Sequence, residues 1–274
     1  MSLNLDSYLD RIGYQGSRAP DYDTLCAVQS HHARAIPYEA IDVFLGRPVD
    51  QDLTRIFEKL VVQKRGGWCY EMNGLLGWAL TEMGFEVTRI CGGVMRALRG
   101  DEAMGNHLVL RVDLDEPLIV DVGLGDGHLT PLRLQEGEQK QGHRVFTLER
   151  LEDDMWRCQN HEGAMPPNYD FSVGPADEAL FARVGQDLQD DPDSMFRQNL
   201  VCQMMTEETT KVLLGRVYVE THTGQEKRLL QSEDELLGVL ETAFGLRVSD
   251  PTGLWEKVVA RHEELFGADA NSAL

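Results

Sequence analysis

The chain's 274 residues are enough to bury a substantial core, as one large domain or two or three small ones, which excludes a fragment that needs staples to fold. Acidic residues outnumber basic ones 46 to 26 and leave a formal charge of −20, so the average surface repels a phosphate backbone and no nucleic-acid partner is expected; backbone N–H groups can still bind a small anion. The five cysteines, Cys26, Cys69, Cys91, Cys158 and Cys202, are odd in number, far apart and never in a C-x-x-C pair, which argues against a disulfide framework or a zinc knuckle and for reduced thiols.

The N-terminal stretch "MSLNLDSYLDRIGY" has no basic n-region and no long apolar segment, and no uncharged apolar run approaches the roughly 20 residues that span a bilayer. The expectation is a soluble cytoplasmic protein with no membrane partner. Up to about Phe85 the period is helical: in "LTRIFEKLVV" the residues Leu53, Ile56, Phe57, Leu60 and Val61 share one face. Pro20, Pro37 and Pro48 break the chain before it, which predicts a helical bundle with turns.

After Gly84, "EVTRICGGVMR", "NHLVLRVDLDEPLIVDVG", "RVFTLERL" and "DMWRCQ" read as short strands separated by turn residues, a β domain of hairpins or a small barrel. "EGEQKQGH" and "HEGAMPPNYDFSVGP" read as loops. From about Lys211, "KVLLGRVYVETHTGQEKRLLQ" predicts a hairpin, and "SEDELLGVLETAF" a helix with Ser232 as N-cap and Glu235 as its capping-box partner. Asp250 and Pro251 suit the start of a last helix, with Leu254, Val258, the structural His262 and Leu265 along one stripe.

The chemistry concentrates in "KRGGWCYEMNGLLGWAL", Lys64 to Leu80. Gly66 and Gly67 let the backbone turn sharply, and Leu75, Leu76, Ala79, Leu80 and Met83 continue with helical spacing, so Cys69 falls in the first helical turn. Unpaired N–H groups and the positive end of the helix dipole favour a thiolate there. A small buried thiol fits the same local pattern, and these residues alone leave both readings open.

His107 opens the strand "HLVLRV" and Asp121 closes "PLIVD", so both lie near the same end of one predicted hairpin. An imidazole that takes a thiol proton and a carboxylate that fixes its tautomer complete the logic of a nucleophilic triad. In "DVGLGDG" the glycines Gly123, Gly125 and Gly127 can turn N–H groups towards an anion, although the spacing is neither a Walker A nor a dinucleotide fingerprint.

"RGGWCYEMN", Arg65 to Asn73, resembles the R-G-G-aromatic-C-x-E-x-N hallmark of the arylamine N-acetyltransferases. "YLDRIGYQG", "IPYEAIDV", the His107 strand, "LIVDVGLG" and "DPDSMF" are similar to family segments in the same order. The resemblance implies an α+β fold: a helical N-terminal domain, 1–85, carrying Cys69; a central β-barrel, 86–200, carrying His107 and Asp121; and a C-terminal α/β lid, 201–274, around a cysteine-protease-like catalytic core. It also implies Cys69 as nucleophile, His107 as base and Asp121 as orienter, acetyl-CoA as co-substrate with no metal, and an aromatic amine or hydrazine as acceptor.

Some positions depart from the family pattern. Leu124 stands where an aromatic is usual, which implies a wider acceptor pocket with less ring stacking, and Ala40 replaces a common Asn. Asn106 stands where Thr is frequent, beside the base and able to hydrogen-bond either substrate; with Gly123, Leu124, Gly125 and Gly127 it forms the expected substrate and CoA contacts. "LVCQMMTEETT", after Asn199, lacks an expected arginine. An amide synthase, a thiol hydrolase and a non-enzymatic reactive-thiol module are the rival readings.

Overall fold

Short capping side chains start most of the helices, because each supplies an acceptor for N–H groups that the helix itself leaves unpaired. In the computed structural model, which describes residues 3–222 and 224–267, helix α1 (Leu5–Ile12) begins where Asn4 accepts the Ser7 N–H at 2.8 Å. Asp21 opens α2 (Tyr22–Ala35) in the same way through Thr24. A two-residue strand β1 (Tyr38–Glu39) and a short α3 (Ile41–Phe44) follow. The predicted amphipathic helix then starts at Asp52 as α4 (Leu53–Phe57).

That helix does not continue as predicted: Glu58–Val62 widen into a π-turn, closed by the Gln63 N–H on the Glu58 carbonyl at 2.9 Å. The apolar stripe survives the change, with Ile56, Phe57, Leu60 and Val61 buried. Lys59 is brought against buried carboxylates in the wider turn. The next helix, α5 (Cys69–Glu82), is apolar nearly all round and lies in the core.

Beyond it run β2 (Glu86–Val94), a short α6 (Arg96–Arg99), β3 (His107–Asp113), β4 (Pro117–Val120), β5 (Leu132–Arg133), β6 (Gly137–Gln141), β7 (Arg144–Arg150), β8 (Met155–Gln159) and β9 (Asn168–Pro175). These eight strands form one sheet in the order β5-β4-β3-β2-β9-β8-β7-β6. Between the edge strands the gap is bridged by side chains. Gln139 pairs with the Arg133 backbone at 2.8 Å in both directions, and Gln141 binds the backbone of Leu129 and Thr130. The sheet is thereby a nearly closed barrel, filled by Ile90, Val109, Ile119, Phe146, Tyr169 and Phe171.

Two stretches expected to be loops contain strands. "EGEQKQGH" holds β6, whose exposed polar side chains are those of an edge strand and so read as loop. "HEGAMPPNYDFSVGP" holds β9, where Asp170 is buried because Arg157 and Arg96 pair with it; a buried acid inside Pro and Gly punctuation hides a strand from its sequence.

Helices α7 (Glu178–Asp190) and α8 (Met195–Gln198) lead to β10 (Val201–Met205), β11 (Thr210–Leu214), β12 (Val217–Thr221) and β13 (Gln225–Leu229). The predicted hairpin is thus three strands of a five-stranded sheet, ordered β1-β10-β11-β12-β13; Thr223, within that stretch, lies outside the described residues. In α9 (Glu233–Phe244) Ser232 caps Glu235 as expected, while the Glu235 carboxylate accepts from the Gln231 N–H at 2.8 Å rather than from Ser232. The last helix, α10 (Leu254–Phe266), starts three residues after Pro251 and is preceded by Gly253 with φ 78°. Leu254, Val258 and His262 are buried, but Leu265 is exposed because the final turn runs past the core that α9 and α10 share with the sheet. All five cysteines are free, and among the described residues no helix is long and apolar enough to cross a membrane.

Candidate active site

The turn before Cys69 is held by charge. Arg65, 8% exposed, donates from Nε and Nη2 to Glu39 Oε1 at 3.1 and 2.8 Å, and from Nη2 to Asp42 Oδ2 at 3.2 Å. Lys59 Nζ reaches both Glu71 oxygens, at 2.9 and 3.0 Å, and Asp42 at 3.1 Å. Burial disfavours the Lys59 ammonium, yet Glu71, Glu39 and Asp42 together hold its affinity for the proton above the ordinary lysine range. Glu71 also accepts the Trp68 N–H at 3.1 Å, so one carboxylate anchors Lys59 and caps α5.

Gly66 and Gly67 do make the sharp turn, for a different reason from a left-handed backbone: Lys64 has the positive φ, at 55°. A Cβ on Gly66 would sit 2.2 Å from the Pro37 carbonyl oxygen, and one on Gly67 2.8 Å from Glu71 Cβ. The absent side chains let β1 lie directly on the turn, with the Glu39 N–H on the Gly67 carbonyl at 3.0 Å.

Cys69 is the first residue of α5 and is 3% exposed, as the sequence predicted for its place in the helix. Four positions on, Asn73 lies on the same helix face. Its Nδ2 donates to the Leu108 carbonyl at 2.6 Å and to Asp121 Oδ1 at 2.7 Å, and its Oδ1 accepts the Val122 N–H at 2.9 Å. Asn73 therefore ties the helix that starts at Cys69 to the strand that begins at His107 and to the loop that begins at Asp121.

The predicted hairpin forms, and the structure brings its two site residues together: His107 Nε2 and Asp121 Oδ2 are 2.6 Å apart, both side chains sealed from solvent. Nδ1 is the ring nitrogen left for Cys69. Burial works against an imidazolium here, but the Asp121 charge and hydrogen bond, followed by the Cys69 hydrogen bond and charge, raise the His107 pKa to about 10. Burial likewise works against the Asp121 carboxylate, and His107, His128 and Asn73 hold it below the ordinary carboxyl range. The Asn106 carbonyl lies 3.7 Å from Cys69 Sγ, and the Tyr169 ring meets His107 edge-on at 5.5 Å.

The remaining predicted contacts divide. Gly123 is pressed on the site, where a Cβ would come within 2.8 Å of Cys69 Cα, and its N–H is committed to Asp121 Oδ1 at 2.7 Å. Gly125 takes a φ of 78° against Gln203. The three atoms nearest a Cβ on Gly127 would all belong to Leu124, the closest at 3.3 Å. Leu124 packs, 6% exposed, among the barrel's apolar side chains. The Asn106 side chain pairs with the Val94 backbone through both its oxygen, at 2.8 Å, and its nitrogen, at 3.4 Å.

The N-acetyltransferase family model matches residues 21–252. An arylamine N-acetyltransferase from Mycolicibacterium smegmatis is 35% identical over 263 residues, covering 92% of this chain and 95% of that relative. The chain belongs to the arylamine N-acetyltransferase family. Its fold is similar to that of the M. tuberculosis arylamine N-acetyltransferase, with a TM-score of 0.85, 29% identity and coverage of 93% of this chain and 99% of that one. The Mycobacterium marinum arylamine N-acetyltransferase, whose structure is in complex with CoA, gives a TM-score of 0.83 at 31% identity, covering 94% and 98% of the two chains.

Membership makes the protein an acetyltransferase and bears out the resemblance carried by Arg65 to Asn73 and the α+β fold expected from it. The sequence alone did not single out Asn73, Lys59 and Glu39 as site-building residues. For Asn73 a signal existed, since Cys69, Glu71 and Asn73 recur at alternate positions of one helix start. Lys59 carried none, because its partners come from elements that only the tertiary fold assembles.

Proposed function

We propose that the protein transfers the acetyl group of acetyl-CoA to aromatic amines and hydrazines by a ping-pong exchange through acetyl-Cys69. The observation that carries this reading is the Cys69 thiol at a helix N-terminus beside an imidazole that Asp121 holds at 2.6 Å. Family membership supports the donor, since the M. marinum relative is in complex with CoA.

In the first half-reaction the proton of the Cys69 thiol already rests on His107, whose imidazolium Asp121 supports, and the sulfur attacks the thioester carbonyl. The adduct collapses by expelling the CoA thiolate, which takes that proton from His107. Exchange between two thiols is nearly balanced, so it needs chiefly a populated thiolate and a cradle for the oxyanion. The Cys69 N–H is one donor for that oxygen, worth about 3 kcal/mol by the measure of other oxyanion holes.

In the second half-reaction a neutral amine attacks acetyl-Cys69, His107 removes its proton as the C–N bond forms, and the thiol is regenerated. Water competes for the same carbonyl. With Cys69, His107 and Asp121 at 3, 1 and 2% exposure, the centre is nearly dry. In the same reading the helical segment 1–85 presents Cys69, the barrel segment 86–200 presents its base and orienter, and the chain from 201 onward forms the lid that keeps water out.

Intact-protein mass after mixing with acetyl-CoA alone tests the scheme. One acetyl group on Cys69, one equivalent of CoA released and discharge on adding an arylamine are the expected results. Continuous CoA release without amine makes the protein a hydrolase and overturns the proposal.

A further inference from the structure

Tyr38 of β1 is paired in register with Gln203 of β10, so the two side chains leave the same face of the sheet. The Gln203 side chain lies against Gly125, in the loop that follows Asp121: a Cβ there would come within 2.2 Å of Gln203 Oε1. Through its backbone Tyr38 is also bridged to Gly67, two residues before Cys69. These ties place the phenol between the Asp121 loop and the Cys69 turn, in one cluster with Trp68, Cys69, Leu108 and Val201.

The ring is 7% exposed, yet its hydroxyl has no hydrogen-bond partner among the described residues. Other tyrosines of the core differ. Tyr8 pairs with His32 at 2.9 Å and Tyr70 with the Gly105 carbonyl at 2.5 Å, while the Tyr169 hydroxyl is unpaired but sealed from any solvent-sized atom. The Tyr38 hydroxyl is left without a partner in the cluster that holds Cys69. Burial, followed by the charges of Cys69, Tyr70, Asp121 and Glu71, keeps it protonated well beyond the ordinary phenol range. Beside an anionic oxygen it can only donate.

We propose that the Tyr38 hydroxyl donates a hydrogen bond to the acyl oxygen of the tetrahedral adduct at Cys69, in both half-reactions. The inference rests on the acyl-enzyme reading above. Attack on the carbonyl forms the new bond and moves the C=O π pair onto oxygen, where the phenol meets it; collapse returns the pair and expels the thiolate, and no proton leaves Tyr38.

Tyr38→Phe removes one oxygen atom and keeps the ring. Acetylation by acetyl-CoA and discharge to an arylamine, each followed in single turnovers, are both expected to slow by on the order of a hundred-fold, the cost of losing one oxyanion donor. The carbonyl stretch of ¹³C-acetyl-Cys69 supplies a readout that simple packing would not move: it should lie below that of free S-acetylcysteine in the wild type and rise in Tyr38→Phe. The wild-type measurement stands even if the variant fails to fold. Unchanged single-turnover rates, loss confined to the amine step, or a wild-type stretch equal to the free thioester would overturn the donor while leaving the acyl-enzyme intact. A wild type that never accumulates acetyl-Cys69 overturns both, and is recognised before any variant is made.

Discussion

The helical region and the barrel rim each bury a histidine completely, and the two end in different charge states, one neutral and one protonated. His32 of α2 accepts or donates only to the Tyr8 hydroxyl, at 2.9 Å; burial and then the Arg11 charge lower its pKa to about 3, so it stays neutral. His107 at the start of β3 is no less buried, but the Asp121 carboxylate lifts its pKa to about 10. The contrast teaches that burial, helped here by a guanidinium, empties an imidazole of its proton, and that a sealed carboxylate reverses the outcome. The one region leaves its histidine neutral, and the other leaves its histidine charged.

Asp121→Asn attacks the contrast at its source. It keeps the shape but removes the charge that lifts His107 and fixes its tautomer; turnover is expected to fall by about 10⁴-fold, with an unchanged circular-dichroism spectrum. A wild-type kcat would sink the role of Asp121. The same rule, that a buried charge stands only beside its counter-charge, governs the turn before Cys69. Lys59→Ala leaves Glu71 without its cation, while Asp42 keeps Arg65, and is expected to cost about 3–5 kcal/mol in urea unfolding, because an uncompensated buried charge remains at Glu71.

Stability against pH sharpens the comparison, because the signs differ. Between the ordinary histidine value of roughly 6.5 and about 3, the unfolded chain takes up a proton that folded His32 refuses. Its contribution is therefore complete above that window and is lost as pH falls through it. Folded His107 keeps a proton that the unfolded chain releases, so its contribution is complete below roughly pH 6.5 and is lost as pH rises through about 10. Urea midpoints from acid to alkaline pH should show His32→Gln flattening the acid limb and His107→Gln the alkaline one. The smallest effect is expected at Leu124. Leu124→Phe adds volume to a packed barrel interior, which costs about 1–3 kcal/mol in a thermal melt and should shift acceptor preference with little change in CoA release. A change in CoA affinity alone would show that Leu124 does not shape the acceptor pocket.

Much of this was legible in the sequence because it was local. The start of α5 at Cys69, the hairpin that joins His107 to Asp121 and the Ser232 cap each depend on neighbours within about fifteen residues. What escaped was set by distant partners. The β9 strand carries an acid that only Arg157 and Arg96 make tolerable, and the π-turn at Glu58–Val62 brings Lys59 to carboxylates from three other places in the chain. Asn106 reads as a substrate contact from its place beside His107, but β2 lies alongside and Val94 claims its amide. Gly66 and Gly67 invited an argument from backbone freedom, whereas the approach of Pro37 and Glu71 is what excludes a side chain there.

The glutamine seam of the barrel has a consequence for how the protein meets other chains. An open sheet edge is a template on which a foreign strand can grow, and natural proteins blunt such edges. Here the edge groups of Leu129, Thr130 and Arg133 are engaged by Gln139 and Gln141, and β5 is only two residues long. An invading strand would have to displace those amides before gaining its first ladder bond. Gln139 and Gln141 thus leave a foreign strand fewer open ladder groups at this edge of the barrel.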